Sequence, residues 1–207
     1  MSRHKILIVE DEPVIAENIS LYLDNNDFEV SGIAYDADEA FEQLKHNTPD
    51  AVILDINLES GQDGIDIAAD INKNYHLPFL FLTSYSDKST LERAKRVKPD
   101  GYIVKPFNER TILASLEIAI SNYAERQNHG LPDLSMERIN RTLLSPITER
   151  EFEIARLVYQ GITNSQIAET SYISLNTVKS HLKSIHLKLD ACSRLEVINR
   201  LRELMLK

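Results

Sequence analysis

The sequence predicts an α/β domain built on a five-stranded parallel sheet, followed by a small all-helical domain. Three observations carry this: short apolar runs alternate with amphipathic segments through residues 1–125, strand signals stop after that point, and charge divides unevenly between the two parts. The apolar runs are "KILIV", "FEVSGIA", "AVILD", "PFLFLT" and "GYIV". They are rich in β-branched and aliphatic residues and bounded by turn formers. Such runs suit strands buried on both faces, the condition of a parallel sheet covered by helices.

The intervening segments have helical periodicity. The one beginning at Asp36 places Ala37, Ala40, Phe41 and Leu44 on one face, and the one from Asn108 does the same with Ile112, Leu116 and Ala119. Residues 126–145 lose this periodicity and contain Gly130 and Pro132, so they read as a linker with room for a short helix. Residues 146–207 hold four helical stretches broken at Gly161, at Ser171 to Ser174, and at Asp190 to Cys192.

Of the 207 residues, 43% are apolar and 27% charged, an ordinary soluble composition. No apolar run approaches the roughly 18 residues that cross a bilayer, and "MSRHKILIVE" suits a strand better than a signal peptide. The expectation is a cytoplasmic protein with no membrane partner. The single cysteine, Cys192, excludes an internal disulfide and a cysteine-based metal cluster, and reads as a small packing residue. The formal charge of −9 argues against nucleic acid only until it is divided: residues 146–207 carry +2, and the remainder −11.

The strand ends carry the chemistry. "AVILD" stops at Asp55, "ILIVEDEP" places Glu10 and Asp11 directly after Val9, "FLFLTSYS" ends in Thr83 and Ser84, and "GYIVKPF" ends in Lys105. Alone, Asp55 reads as a loop carboxylate bonding nearby amides, Thr83 as a turn cap, and Lys105 as a solvated cation. In a flavodoxin-like (βα)5 order of 2-1-3-4-5, strands 1 and 3 are neighbours, and all these ends share one crevice. Clustered carboxylates repel unless a cation binds, and a few carboxylate oxygens with water suit Mg²⁺.

With Glu10-Asp11, Asp55, Thr83-Ser84, Tyr102 and Lys105-Pro106 in this order, including the 22-residue step from Thr83 to Lys105, the first domain closely resembles the receiver domain of bacterial two-component response regulators. The resemblance covers about 120 residues. It implies that Asp55 accepts a phosphoryl group from a sensor histidine kinase, and that Mg²⁺ is held by Asp11, Asp55 and the backbone carbonyl of Asn57, with Glu10 acting through water. It also implies that Thr83 and Tyr102 form the switch, that Lys105 assists the chemistry, and that Pro106 follows a cis peptide. The sequence departs from the family pattern in the loop "INLESGQDG", one residue longer before its glycine than many receivers, and in Glu10 where many carry Asp. Tyr85, with Asn57, is expected to flank the approach of water and so to slow loss of the phosphoryl group.

In the second domain "SLNTVKSHLKSIHLKL" places Leu175, Val178, Leu182, Ile185 and Leu189 on one helical face. Asn176, Lys179, Ser180, Lys183 and Leu187 fall on the other. The preceding "TNSQIAETSYIS" gives a short helix with Ile167 and Ala168 inward, a tight turn, and Ser174 as the cap of the longer helix. That is a helix-turn-helix pattern. Thr148-Glu149-Arg150-Glu151, Gly161, Ile167-Ala168, Thr177-Val178-Lys179, His181 and Lys188-Leu189 make residues 146–207 similar to the LuxR-type DNA-binding domain. The resemblance implies that Lys179, Ser180 and Lys183 face the groove of double-stranded DNA, and that the last helix, with Val197 and Leu201, makes the dimer contact on DNA. Ser171 and Tyr172 stand in a turn that is usually more apolar, and Asp190-Ala191-Cys192 replaces the usual glycine-containing stop.

The reading is a response regulator, a homodimer when phosphorylated, that regulates transcription and is no metabolic enzyme. Two rivals stand beside it. One is an aspartyl-phosphate phosphohydrolase, against which "DINLE" lacks a second acid two residues after the nucleophile. The other is a module whose helical domain contacts protein or RNA.

Overall fold

The computed structural model describes residues 3–25, 27–58, 61–84, 88–129 and 133–206. The chain divides into two compact units, one built mainly from residues 5–120 and the other mainly from 121–207. In the first, strands β1 (His4–Val9), β2 (Phe28–Ala34), β3 (Ala51–Asp55), β4 (Phe79–Thr83) and β5 (Gly101–Val104) alternate with helices α1 (Pro13–Leu23), α2 (Ala37–His46), α3 (Gly64–Asp70), α4 (Lys88–Arg96) and α5 (Glu109–Asn128). A π-helical turn, Ile71–Tyr75, prolongs α3.

The sheet has the order β2-β1-β3-β4-β5, the flavodoxin-like order expected from the sequence, and the β1–β3, β3–β4 and β4–β5 pairs are parallel. Its register aligns Val9 with Leu54, Asp55 with Leu82, and Thr83 with Val104. Residues of the central strands β1, β3 and β4 alternate between two buried faces. Ile6, Ile8, Ile53, Leu80 and Leu82 pack with Ala16, Ile19 and Leu23 of α1 and with Ile112, Leu116 and Ala119 of α5. Leu7, Val9, Val52, Leu54, Phe79 and Phe81 point the other way and are equally buried. This double burial explains the unbroken apolar runs. At the start of α2 the Asp36 side chain accepts a hydrogen bond from the Glu39 amide, and Ala37, Ala40 and Leu44 are buried as the periodicity requires.

The second unit contains α6 (Met136–Thr142), α7 (Glu149–Tyr159), α8 (Asn164–Thr170), α9 (Leu175–Leu189) and α10 (Arg194–Leu206). Capping boxes open α7, through Thr148 and Glu151, and α8, through Thr163 and Gln166; Ser174 caps α9. Gly161, at φ 78°, takes the left-handed turn between α7 and α8 that a side chain would strain. Ile154, Val158, Ile167, Val178, Leu182 and Ile185 form the core. Arg194 is buried there, donating to Asn164 Oδ1 at 3.0 Å and to the Ile162 carbonyl. Helix α6 lies in the stretch that reads as a linker, and its Ile139 is fully buried in the same core. Gly130 and Pro132, the markers of that stretch, lie outside the described residues. Cys192, expected as a packing residue, is instead exposed in the turn before α10. Among the described residues no helix is long and apolar enough to cross a membrane.

Candidate functional site

Parallel strands end at one edge, so the register of the sheet collects the strand-end side chains without help from the loops. β1 runs into Glu10 and Asp11, β3 ends in Asp55, β4 in Thr83, and β5 runs into Lys105. Carboxylate oxygens of Glu10, Asp11 and Asp55 lie within 4.8 Å of one another. The Lys105 ammonium donates to Asp55 Oδ2 at 2.5 Å and to Glu10 Oε1 at 2.9 Å. Glu10, Asp55 and Thr83 are buried, Asp11 is partly exposed, and Ser84 is exposed.

The electrostatics follow from this crowding. Burial, with Asp55 close by, pushes the Glu10 carboxyl up to about 7 against the pull of Lys105. Burial opposes the Lys105 charge too, but hydrogen bonds to Asp55 and Glu10 outweigh it and hold that ammonium above the ordinary lysine range. One cation thus neutralises part of a three-carboxylate cluster. The remaining negative charge and oxygen-only donors suit a hard divalent ion.

The backbone fixes Asp55 from two sides. Its Oδ1 accepts from the Asn57 amide at 3.0 Å, and Asn57 itself is exposed. Gly64, the first residue of α3, packs on the Asp55 carbonyl so closely that a Cβ there would stand 1.9 Å from the oxygen. The Gly64 amide also donates to Ile56 O at 3.1 Å. Sequence reading missed this glycine, because the contact depends on how the loop returns; its only signal was a glycine beside the Asp63 that caps α3. Glu59 and Ser60 of that loop, and Tyr85, lie outside the described residues.

The Lys105–Pro106 peptide bond is cis, as the resemblance implied. Tyr102, on the β5 position that alternates outward, is 40% exposed, and its ring centroid lies 6.0 Å from that of Phe81.

In the second unit α9 buries Val178, Leu182, Ile185 and Leu189 and turns Asn176, Ser180, Lys183 and Leu187 to solvent, with Lys179 partly exposed. The Ser180 hydroxyl donates back to the Asn176 carbonyl at 3.0 Å. Lys188 does not share that outer role: it donates to Glu151 Oε2 at 2.7 Å and to the Pro146 carbonyl at 2.8 Å. Val197 and Leu201 correct the sequence reading. Both are fully buried in the domain core, so neither has surface to offer a second copy. Apolar spacing on α10 marked the inward face, and the outward face holds Asn199, Arg200 and Glu203.

A flavodoxin-like sheet with an acid cluster and a lysine at its carboxyl edge, joined to a helix-turn-helix domain, defines the DNA-binding response regulators. Comparison with known proteins agrees. Residues 6–117 match the response regulator receiver domain, and residues 145–201 match the bacterial regulatory proteins of the luxR family. The chain belongs to the response regulator family, with a receiver domain and a LuxR-type DNA-binding domain. It is similar to the response regulator protein VraR of Staphylococcus aureus, 29% identical over 201 residues that cover 94% of each chain. VraR of Staphylococcus saprophyticus is 28% identical over 197 residues, again 94% of each. Among solved structures it resembles the signal receiver domain of a modulated diguanylate cyclase from Desulfovibrio desulfuricans, at 34% identity and a TM-score of 0.57 over 60% of this chain and 99% of that one. The chemotaxis response regulator CheY4 of Vibrio cholerae aligns at 28% identity and a TM-score of 0.50, over 56% and 97%.

Proposed function

We propose that Asp55 is the phosphoacceptor of a switch that controls DNA binding by the second domain. The observation that carries this is the contact of one buried carboxylate, Asp55, with Lys105 at 2.5 Å, in a cluster that also holds Glu10 and Asp11. A carboxylate at a strand end can serve as a covalent nucleophile, and phosphoryl transfer asks the protein chiefly for positioning and charge neutralisation. An Asp55 oxygen attacks phosphorus, the bond from phosphorus to the nitrogen of a kinase phosphohistidine breaks, and the histidine leaves with the electron pair. Asp11, Asp55 and the Asn57 carbonyl would hold Mg²⁺, with Glu10 reaching it through water. When bound, that ion neutralises charge on the transferring phosphoryl oxygens. Lys105 supplies the second positive charge, and the Asn57 amide orients the carboxylate.

Once phosphorylated, Asp55 carries about −1.5 to −2 charge and draws on Lys105 and the Thr83 hydroxyl. Movement at Thr83 frees space for Tyr102 on the neighbouring strand, which alters the outer surface around β5. The altered surface favours a homodimer, whose paired α9 helices present Lys179, Ser180 and Lys183 to two half-sites of duplex DNA.

The test of the site is direct. Incubation with acetyl phosphate and Mg²⁺ adds one phosphoryl mass to the wild type and none to Asp55→Asn. Equal labelling of both would place the acceptor elsewhere.

A further inference from the structure

We infer that Leu187 is a specificity-determining residue of the DNA-binding helix, reading the C5-methyl group of a thymine. The inference rests on α9 being the groove-reading helix and extends that surface by one apolar position.

Leu187 is 84% exposed, in a domain whose other α9 leucines, isoleucine and valine are buried or partly buried. At 3.6 residues per turn, Asn176, Ser180, Lys183 and Leu187 fall within an arc of about 60°. Leu187 sits near its centre, opposite the buried Val178, Leu182, Ile185 and Leu189. The four positions climb about 16 Å along the helix, the length of roughly five base-pair steps. A single exposed leucine is ordinary on a protein surface. This one is continuous with the polar and basic strip of a DNA-binding helix, with Lys183 one turn before it.

Docking that strip in the major groove removes Leu187 from water. The thymine methyl is the one apolar group on the groove floor; the other base edges present only donors and acceptors. Leucine over those edges would bury polar groups with no partner, whereas leucine over thymine buries apolar surface on both sides. Both effects favour a T–A pair at one position of each half-site. The occupant is therefore duplex DNA.

Binding-site selection from random-sequence duplexes tests this with the full chain, treated with acetyl phosphate and Mg²⁺, beside Leu187→Ala and Lys183→Ala. The wild-type site is expected to hold a fixed T–A pair in each half-site that becomes degenerate for Leu187→Ala. Replacing that thymine by deoxyuridine, which deletes only the methyl group, should weaken wild-type binding about fourfold and leave Leu187→Ala unchanged. An identical selected site for Leu187→Ala, or an equal deoxyuridine effect on both proteins, overturns the inference. So does a uniform loss on all sequences, which would place Leu187 against the backbone or a second copy. If Lys183→Ala selects an altered site while Leu187→Ala does not, only the apolar contact fails. If neither variant alters the site, the groove-reading role of α9 fails with it.

Discussion

Protonation of Glu151 should unlock the DNA-binding domain. Its carboxylate is nearly fully buried and accepts from Lys188 Nζ at 2.7 Å, Ser184 Oγ at 2.5 Å and the Thr148 amide at 2.7 Å, so one acid ties the start of α7 to the end of α9. Burial alone would raise this carboxyl, but those hydrogen bonds overcome it and hold it at about 2, against an ordinary 4.5. The folded value is the depressed one. Its contribution is therefore complete above about pH 4.5 and is lost as pH falls toward 2. A difference of that size corresponds to about 3 kcal/mol, and solvent reaching the helix ends reduces it to about 1 to 2 kcal/mol. Glu151→Gln keeps the shape and removes the charge. Hydrogen exchange of α7 and α9 amides in the full chain, compared between wild type and Glu151→Gln from pH 7 to pH 3, reads the difference. At that reduced size the stability gap should shrink to about a fifth of its neutral value or less by pH 3. A gap that is absent at pH 7, or that does not change with pH, would refute the reasoning.

Gly64→Ala forces a methyl group against the Asp55 carbonyl; displacing the acceptor should slow acetyl phosphate labelling by roughly tenfold or more, read by intact mass. Leu201→Ala opens a cavity in the helical core and should cost about 2 to 5 kcal/mol in α10 protection from hydrogen exchange. Arg200→Ala on the exposed face of the same helix should cost under about 0.5 kcal/mol. The opposite ranking would restore Leu201 as a surface contact. Lys105→Ala removes the cation shared by Asp55 and Glu10, so its phosphorylated form should lose most of the gain in DNA binding measured for the wild type by gel shift, even when labelling is driven to completion.

The sheet was legible because its central strands β1, β3 and β4 are buried on both faces, which leaves nearly unbroken apolar runs, and because the chemistry sits where the runs stop. Glu10, Asp11, Asp55, Thr83 and Lys105 needed only the strand order to be brought together. What depends on distant closure was not legible. Gly64 meets Asp55 through the return of a loop, and Glu151 meets Lys188 across 37 residues. Sequence marked both Glu151 and Lys188 as part of one domain's pattern, yet nothing local paired them. Val197 and Leu201 were misplaced for another reason: an apolar stripe on a terminal helix has the same spacing whether it packs inward or against a second copy, and only burial separates the two. Ile139 was hidden because a seven-residue helix between loops has too few turns to show a period.

The central claim is that phosphorylation of Asp55 drives DNA binding by the second domain. The measurement that tests it is the affinity of the full chain for its selected duplex site, with and without acetyl phosphate and Mg²⁺, for wild type and Asp55→Asn, with molecular mass followed by light scattering. The wild type should bind more tightly and shift toward a dimer on phosphorylation, and Asp55→Asn should do neither. If Asp55→Asn binds as tightly as the phosphorylated wild type at the same mass, the acid cluster does not govern the helix-turn-helix domain.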